Sequence, residues 1–317
     1  MNTLKRYFYG IIAGLILVTS PAIAATETSQ PDEAECPSPG EGSIVLNADG
    51  NYTLTHDGCV TIWEPATKID PVVTGQMTFN PKTDTISYDY QIHNTGKGQQ
   101  PIAGMRLDGS NACFNIRAPE SWRGQAATGS IKGRGFNVGI SRMVGPYGVD
   151  RLKGVVPGAQ LGGIGFDNTD LPGVGNVYLW GATSKDERPA FHNEKLDLEF
   201  NEIQLKNYVP RLAPVPMIPV ASPFNAAAVL TAIQQHLDKD LVGLWLVQPA
   251  FAGQLDSLFQ KAINSVQGHN LSGARDTIRE LQTLIERAQG GKAKTIDPLA
   301  VQVLVFDLKV VDQRLGN

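Results

Sequence analysis

The sequence has few of the residues, and none of the short motifs, that mark common catalytic sites. Its 317 residues include five histidines and three cysteines. It contains no G-x-S-x-G, S-x-x-K or H-E-x-x-H pattern and no complete nucleotide-binding loop. His56, His93 and His192 are far apart in sequence, so a metal site would need the fold to bring them together. We therefore assign no catalytic, cofactor-binding or metal-binding residue from the sequence.

Neither sign of charge dominates the chain. Lysine and arginine number 27 against 31 aspartates and glutamates, which gives a formal net charge of −4. Proteins whose main partner is a nucleic acid are usually basic, because phosphate neutralisation drives their binding. The balance therefore argues against nucleic acid as a partner.

One segment, residues 121–155, is nevertheless basic. Its only acid is Asp150. Its cations are Arg123, Lys132, Arg134, Arg142, Arg151 and Lys153. They form a candidate patch for an anionic glycan or lipid headgroup. The alternative, which the composition favours, is a solvated and glycine-rich loop face.

Long apolar runs are absent beyond the N-terminus, and the run at the N-terminus is short. Lys5 and Arg6 precede an apolar stretch over residues 8–18, and Ala22-Ile23-Ala24 follows as a small-x-small cleavage site. This order is typical of a secretory signal peptide over residues 1–24, and the stretch is shorter than the roughly 20 residues of a membrane span. We expect a secreted or periplasmic protein without a transmembrane segment after cleavage.

The three cysteines all lie in the first part of the chain and form no C-x-x-C pair, so zinc or thioredoxin-like chemistry has no support. An exported protein with three cysteines is expected to have one disulfide and one thiol. Three pairings exist. The hairpin expected around residues 48–51 favours Cys36–Cys59, because it brings those two cysteines together. Cys113 is then a buried free thiol.

Residues 25–207 have the pattern of an all-β antiparallel sandwich. Short runs of β-branched and aromatic residues alternate with turn dipeptides such as Asp49-Gly50. The predicted strands are Ser43–Asn47, Tyr52–Thr55, Val60–Trp63, Gln76–Phe79, Thr85–His93, Phe114–Arg117, Phe136–Ser141, Leu161–Phe166, Asn176–Trp180 and Leu196–Leu205.

Aromatic and acidic residues of this part allow two interpretations each. The aromatic residues either pack in the core or form a platform on which sugars stack; they are Trp63, Trp122, Tyr147, Tyr178 and Trp180. The acidic residues either lie in solvated loops or carry out glycosidase chemistry; they are Asp167, Asp170, Asp186 and Glu187. In each case we favour the structural interpretation.

The character of the sequence changes at residues 208–224, where five prolines occur between Pro210 and Pro223. Proline lacks the N–H group that helices and sheets use, so the run predicts an extended, semi-rigid linker. If it joins two independent modules, residues 25–209 and 225–317 should each fold alone.

Residues 225–317 have helical periodicity and predict a small all-α bundle. Four helices are expected. The first begins at Asn225 as N-cap, the second covers residues 249–267, and the third begins at Ser272 as N-cap and ends near Gln289. The fourth has Asp297 as N-cap and Pro298 in the first helical position.

Two segments resemble known kinds of domain. The helical part is similar to a FIMAH-type helical domain at Leu255–Leu258, Gly268–Ala274, Leu281–Ile285, Gly291–Lys292 and Asp307–Leu315. That resemblance implies an accessory, interaction-mediating role and no catalytic residues; Gly273 departs from the alanine usual in the family. The β part weakly resembles uncharacterised bacterial exported β-sandwich domains at Tyr88–Asn94, Val156–Phe166 and Leu171–Gly173, which implies a fold only.

Taken together, these patterns favour an exported, non-enzymatic binding protein of the cell envelope or exterior, with a protein or glycan partner and no cofactor. The alternative is a carbohydrate-active enzyme or other hydrolase whose site assembles only in the fold. A cleft with two close carboxylates would favour that alternative.

Overall fold

The structure is a computed structural model that describes residues 42–56, 58–108, 113–120, 122–131, 134–142, 154–182, 193–290 and 295–316. Its strands are β1 (Ser43–Leu46), β2 (Tyr52–His56), β3 (Cys59–Trp63), β4 (Pro71–Asn80), β5 (Thr85–Asn94), β6 (Ile102–Asp108), β7 (Phe114–Arg117), β8 (Trp122–Ile131), β9 (Arg134–Arg142), β10 (Gln160–Asn168), β11 (Leu171–Gly181) and β12 (Val209–Ile218). Its helices are α1 (Glu194–Lys206), α2 (Ala226–His236), α3 (Pro249–Gln267), α4 (Leu271–Gln289) and α5 (Pro298–Leu315), with a π-helical turn over Leu237–Leu241.

The strands of the described residues form three antiparallel sheets, which confirms the antiparallel β character predicted for the first part. The small sheet has the order β1-β2-β3. The four-stranded sheet has the order β4-β5-β10-β7, and the five-stranded sheet has the order β12-β11-β6-β9-β8. Helices α2 to α5 then follow in the C-terminal part, as predicted.

Two tyrosines of β5 connect the four-stranded sheet to the turn between β10 and β11 and to β12 of the five-stranded sheet. The hydroxyl of Tyr88 donates to the carbonyl oxygen of Asp170 at 2.9 Å, and that of Tyr90 donates to the carbonyl oxygen of Pro214 at 2.6 Å. Both rings stack near Phe166, with centroids 5.3 and 5.9 Å away. The apolar bodies of these rings therefore fill the core while their polar ends stay satisfied.

Most of the proline run is a strand of the sheet, so the prediction of a linker over residues 208–224 is wrong for Val209–Ile218. β12 pairs with β11 along nine residues of register, including Tyr178 opposite Pro210 and Val174 opposite Pro214. β12 is an edge strand. Because N–H groups alternate between the two sides of a strand, the alternating prolines Pro210, Pro214 and Pro216 can all place their missing donor away from β11.

The strand predicted over Leu196–Leu205 is helix α1 instead. The side chain of Asn193 caps the helix by accepting from the backbone N–H groups of Lys195 and Leu196. Leu196 and Phe200, four residues apart, are buried, whereas Leu198 is 58% exposed. A helical spacing of the buried residues thus replaces the alternation that the sequence suggested.

Most helix boundaries in the C-terminal part agree with those predicted from the sequence. Asn225 caps α2, and Asp297 caps α5 with Pro298 in its first turn. Helix α4 begins one residue before the predicted Ser272 cap, because the side chain of Asn270 accepts from the N–H of Gly273. A β-carbon at Gly273 would come within 2.5 Å of the Nδ2 atom of Asn270, so glycine makes room for this cap.

The helices and the two larger sheets share one hydrophobic core. Ile86 of β5, Val215 of β12 and Leu304 of α5 all belong to the same buried cluster. The side chain of Gln302 in α5 also donates to the carbonyl oxygen of Gly75 in β4 at 2.7 Å. The picture of two modules held apart by a spacer is therefore wrong.

None of the helices in the described part of the chain is long and apolar enough to cross a membrane.

Candidate functional site

A cleft of about 310 Å³ lies between the five-stranded sheet, the small sheet and α1. We call it the aromatic cleft, and its walls include Trp63, Arg106, Ser141, Trp180, Gln204 and Tyr208. Three aromatic rings and several hydrogen-bonding side chains thus meet at one place. Apolar surface combined with a few convergent polar groups is typical of small-ligand sites.

The floor of the cleft follows from the register of the five-stranded sheet. Ser141 of β9 lies opposite Gly104 of β6, and Gly104 lies opposite Trp180 of β11. Directly opposed residues of an antiparallel pair share one face, so all three lie in a row. The indole of Trp180 lies over Gly104 so closely that a β-carbon there would overlap its ring. Glycine at position 104 therefore allows the ring to lie on the sheet.

Arg106 and two aromatic rings form a stacked group in this floor. The rings of Trp180 and Tyr208 have centroids 5.3 Å apart at an interplanar angle of 31°. The Cζ atom of Arg106 lies 5.6 Å from the Trp180 centroid and 5.7 Å from that of Tyr208. At these distances cation–π attraction holds the planar guanidinium against the rings. The guanidinium is thus held in place by its neighbouring rings.

Trp63 also lines the cleft, and its ring packs against residues of α1 and β2. Its ring meets Phe200 of α1 edge to face at 5.1 Å and lies 5.5 Å from Tyr52 of β2. With Leu54 these residues form a second, smaller hydrophobic cluster. Only 6% of Trp63 is exposed. The small sheet and α1 therefore hold the indole almost fully buried at the edge of the cleft.

The charged groups of the described cleft lining bear on the hydrolase alternative. Among the described residues that line it, Arg106 is the only charged one, and no carboxylate or histidine occurs. Glycosidases use two carboxylates held across the scissile bond. The described lining by itself does not supply such a pair.

Two of the acidic residues that the sequence offered as glycosidase candidates are described: Asp167 makes hydrogen bonds to other side chains, and Asp170 is buried. Asp167 accepts hydrogen bonds from Ser87 at 2.7 Å and from Asn115 and Arg117, both at 2.9 Å. Burial raises the pKa of Asp167, but these hydrogen bonds outweigh it and hold the pKa below its ordinary value. Asp170 is fully buried. Asp186 and Glu187 lie outside the described residues.

The basic patch predicted from residues 121–155 is only partly within the described structure. Lys132, Arg151 and Lys153 lie outside it, and Arg134 and Arg142 are described in backbone only, at the two ends of β9. Arg123 of β8 is exposed and lies directly opposite Ser141, a residue of the cleft. The structure thus puts one patch residue beside the cleft.

The aromatic residues separate into two groups. Trp122 lies in the main hydrophobic core, Tyr178 is 8% exposed, and Tyr147 lies outside the described residues. Trp63 and Trp180 line the cleft together. The sequence did not indicate Arg106 or Tyr208 as residues of a site. The one feature that points to Tyr208 is its position next to the proline run.

Two of the three cysteines lie within the described residues. Cys113 is not part of a disulfide and is 6% exposed. Burial raises its pKa to about 11. Cys59, the first residue of β3, belongs to a disulfide. Cys36 lies outside the described residues, so the pairing Cys36–Cys59 stays a prediction.

Metal binding has no support in the described residues, where no group of three or more histidine, cysteine, aspartate or glutamate side chains is arranged to hold an ion.

The resemblance of residues 255–315 to FIMAH-type domains stays a prediction. A comparison of the chain with protein-family models and with curated protein sequences found no match in either.

Proposed function

We propose that the chain is an exported binding protein that takes a sugar in the aromatic cleft. In this proposal residues 1–24 direct export and are removed. The four-stranded and five-stranded sheets form the two layers of a β-sandwich, and the cleft lies on the outer face of the larger sheet. The helical part acts as an accessory, interaction-mediating region, as its resemblance to FIMAH-type domains implies.

The observation that carries the proposal is that Trp180 and Tyr208 line one polar cleft beside the nearly buried Trp63. Sugar rings have apolar faces and hydroxyl-bearing edges. Aromatic rings bind the first, and the side chains of Ser141 and Gln204 offer hydrogen bonds to the second. A planar apolar ligand without hydroxyl groups would leave those polar side chains unpaired at a cost of about 1–3 kcal/mol each.

The test is calorimetric titration of residues 25–317 against a panel of bacterial envelope and plant polysaccharide fragments. We expect at least one fragment to bind, and Trp180→Leu to weaken that binding at least about tenfold through loss of the ring contact. Trp245→Leu is the matched control, because Trp245 is 87% exposed and lies outside the cleft.

Two outcomes would reject the proposal. One is that no fragment binds at millimolar concentration. The other is that the control Trp245→Leu loses binding while Trp180→Leu keeps it, which would place the sugar site on the helical part.

A further inference from the structure

We infer that Asn51 is an N-glycosylation site of the type that requires an acidic residue before the asparagine, and that it receives an oligosaccharide from a lipid-linked donor. The inference goes beyond the proposed sugar-binding function and shares with it only the export of the chain. Two independent observations carry it. One is an acceptor sequence at an exposed turn, and the other is an exposed apolar sheet face beside that turn.

The acceptor sequence is Asp49-Gly50-Asn51-Tyr52-Thr53. An asparagine followed two residues later by serine or threonine is the acceptor that N-glycosylation requires. Transferases of the bacterial type also require an acidic residue two positions before the asparagine, and Asp49 supplies it. The sequence has one other three-residue match, Asn270-Leu271-Ser272, but there Gly268 stands in the position of the acid. Only the sequence around Asn51 is therefore an acceptor of the acidic type.

The acceptor lies at the tip of the hairpin between β1 and β2, in exposed surroundings. A β-carbon at Gly50 would have nothing within 4 Å, so the space beside the turn is open. The carboxylate of Asp49 accepts from the backbone N–H of Asn51 at 3.0 Å and from its Nδ2 atom at 2.9 Å, and both contacts are exposed. The amide nitrogen carries two N–H groups, so a sugar can replace one while the other donates to Asp49. The folded turn can thus accommodate the product.

The transfer step takes one group from this chain, the side-chain amide of Asn51. Its Nδ2 atom forms a bond to the anomeric carbon of the first sugar and loses one proton. The bond between that carbon and the diphosphate of the lipid-linked donor breaks, and the lipid diphosphate leaves with the electron pair. The donor is therefore the single co-reactant that the step requires.

The second observation is the outer face of the small sheet. Its inner face packs against α1. On the outer face, Val45, Val60 and Ile62 are 52%, 67% and 38% exposed. Val45 and Ile62 both lie opposite Thr53, so the three form one row across the sheet. Asn51 lies two residues before Thr53 and therefore at the end of the same face. A hydrophilic oligosaccharide attached there begins beside these apolar side chains and can cover them.

The hydrogen bonds of Thr53 indicate when the transfer occurs. Its hydroxyl donates to the Oδ1 atom of Asn47 at 3.1 Å and accepts from the Nδ2 atom of the same residue at 3.0 Å. The transferase must itself bind this hydroxyl, so the folded hairpin is a poor acceptor. We expect the transfer to take place during export, before the hairpin closes, and the test therefore uses living cells.

The test expresses the full chain in a bacterium that has a transferase of the acidic type and its lipid-linked oligosaccharide. A strain without the transferase serves for comparison. Intact mass and peptide mapping of the exported protein should show one added oligosaccharide, on the peptide that contains Asn51. Asn51→Gln should abolish it. Asp49→Asn keeps the size of the side chain without its charge and should lower occupancy at least about tenfold. Asn270→Gln is the matched control and should keep the wild-type occupancy.

The outcomes separate the inference from the proposed function. The same mass shows whether residues 1–24 are removed, and a chain with another bacterial signal peptide in their place tests the transfer even if the native segment fails to direct export. Exported wild-type protein without the oligosaccharide would overturn the inference, as would equal occupancy in wild type and Asp49→Asn. An oligosaccharide that remains in Asn51→Gln would overturn it too. Each of these results leaves sugar binding in the aromatic cleft untouched.

Discussion

The guanidinium of Arg314, near the end of α5, donates to the carboxylate of Asp84 in the turn between β4 and β5, 230 residues earlier in the chain. Its Cζ atom also lies 5.1 Å from the ring of Phe79 and 4.9 Å from that of Phe224. The side chain is 8% exposed. The last helix is thus fixed to the four-stranded sheet by a charge held between two aromatic rings.

Replacement of Arg314 by leucine should lower the free energy of unfolding by about 1–3 kcal/mol. The variant loses cation–π contacts that are worth about 2 kcal/mol when desolvated, together with the pair to Asp84. Lys309→Leu is the control, because the pair of Lys309 with Glu286 is long and exposed at 3.8 Å. Urea unfolding measures both. Equal stability of the two variants would contradict the role assigned to Arg314.

The two parts of the chain should not fold separately. A fragment of residues 25–209 lacks all of β12 except Val209, which leaves one edge of β11 unpaired, and a fragment of 225–317 exposes the helix surface that packs on the sheets. We expect the full mature chain to unfold in one thermal transition and neither fragment to show a cooperative one. Cooperative unfolding of both fragments would restore the linker interpretation of residues 208–224.

His236 should make the protein less stable in mild acid. Its Nε2 atom accepts from the N–H of Val174 at 3.1 Å, and its Nδ1 atom lies 2.7 Å from Asp240. Burial lowers the pKa of His236 and outweighs the opposite effect of Asp240. The unfolded state then binds a proton more readily, so stability is full above pH 6.5 and falls as the pH drops below it.

We expect the melting temperature to fall between pH 7 and pH 5 in the wild-type protein and to fall less in His236→Gln. The exposed His269→Asn is the control and should keep the wild-type slope. Scanning calorimetry at three pH values measures this. A slope in His236→Gln as steep as in the wild type would show that another group causes the acid sensitivity.

Asp307 should have the opposite effect on stability. It is fully buried in α5, and neither carboxylate oxygen has a hydrogen-bond partner among the described residues. Burial raises its pKa well above the ordinary value, so the folded state keeps the proton that the unfolded state releases. Stability is therefore lost as the pH rises above about 4, by up to roughly 1.4 kcal/mol per pH unit.

Asp307→Asn cannot ionise and removes this cost. We expect its stability relative to the wild type to increase between pH 5 and pH 7 by at least about 1 kcal/mol in urea unfolding. Asp312→Asn, a change at a partly exposed residue of the same helix that pairs with Arg275, should show no such increase. A constant difference between Asp307→Asn and wild type would mean that Asp307 is ionised in the folded protein.

Where local chemistry determines an element, the sequence was sufficient to predict it. Asn225, Asp297 and Pro298 mark the starts of α2 and α5 because caps and proline act through neighbouring backbone groups. The strand β5 was similarly clear, since Tyr88 and Tyr90 alternate with polar residues. In these cases the tertiary structure adds packing to a preference that is already local.

The features that depend on distant partners could not be predicted in this way. The prolines of β12 suit an edge strand only when a partner strand lies on one side, and that partner is β11. The cleft depends on register, because Gly104 and Trp180 are far apart in sequence and opposite in the sheet. Arg106, the charged residue of the described cleft lining, lies in an ordinary strand sequence. Only the aromatic rings beside it in the fold mark it as part of the cleft.

Titration of an oligosaccharide that binds the wild-type protein into Gly104→Ala and Gly139→Ala is the most direct test of the aromatic cleft as the binding site. A β-carbon at Gly104 overlaps the ring of Trp180, whereas one at Gly139 has its nearest neighbour at 4.0 Å. We predict that Gly104→Ala loses at least about tenfold in affinity while Gly139→Ala binds like the wild type. Equal affinity of folded Gly104→Ala and wild-type protein would contradict the account.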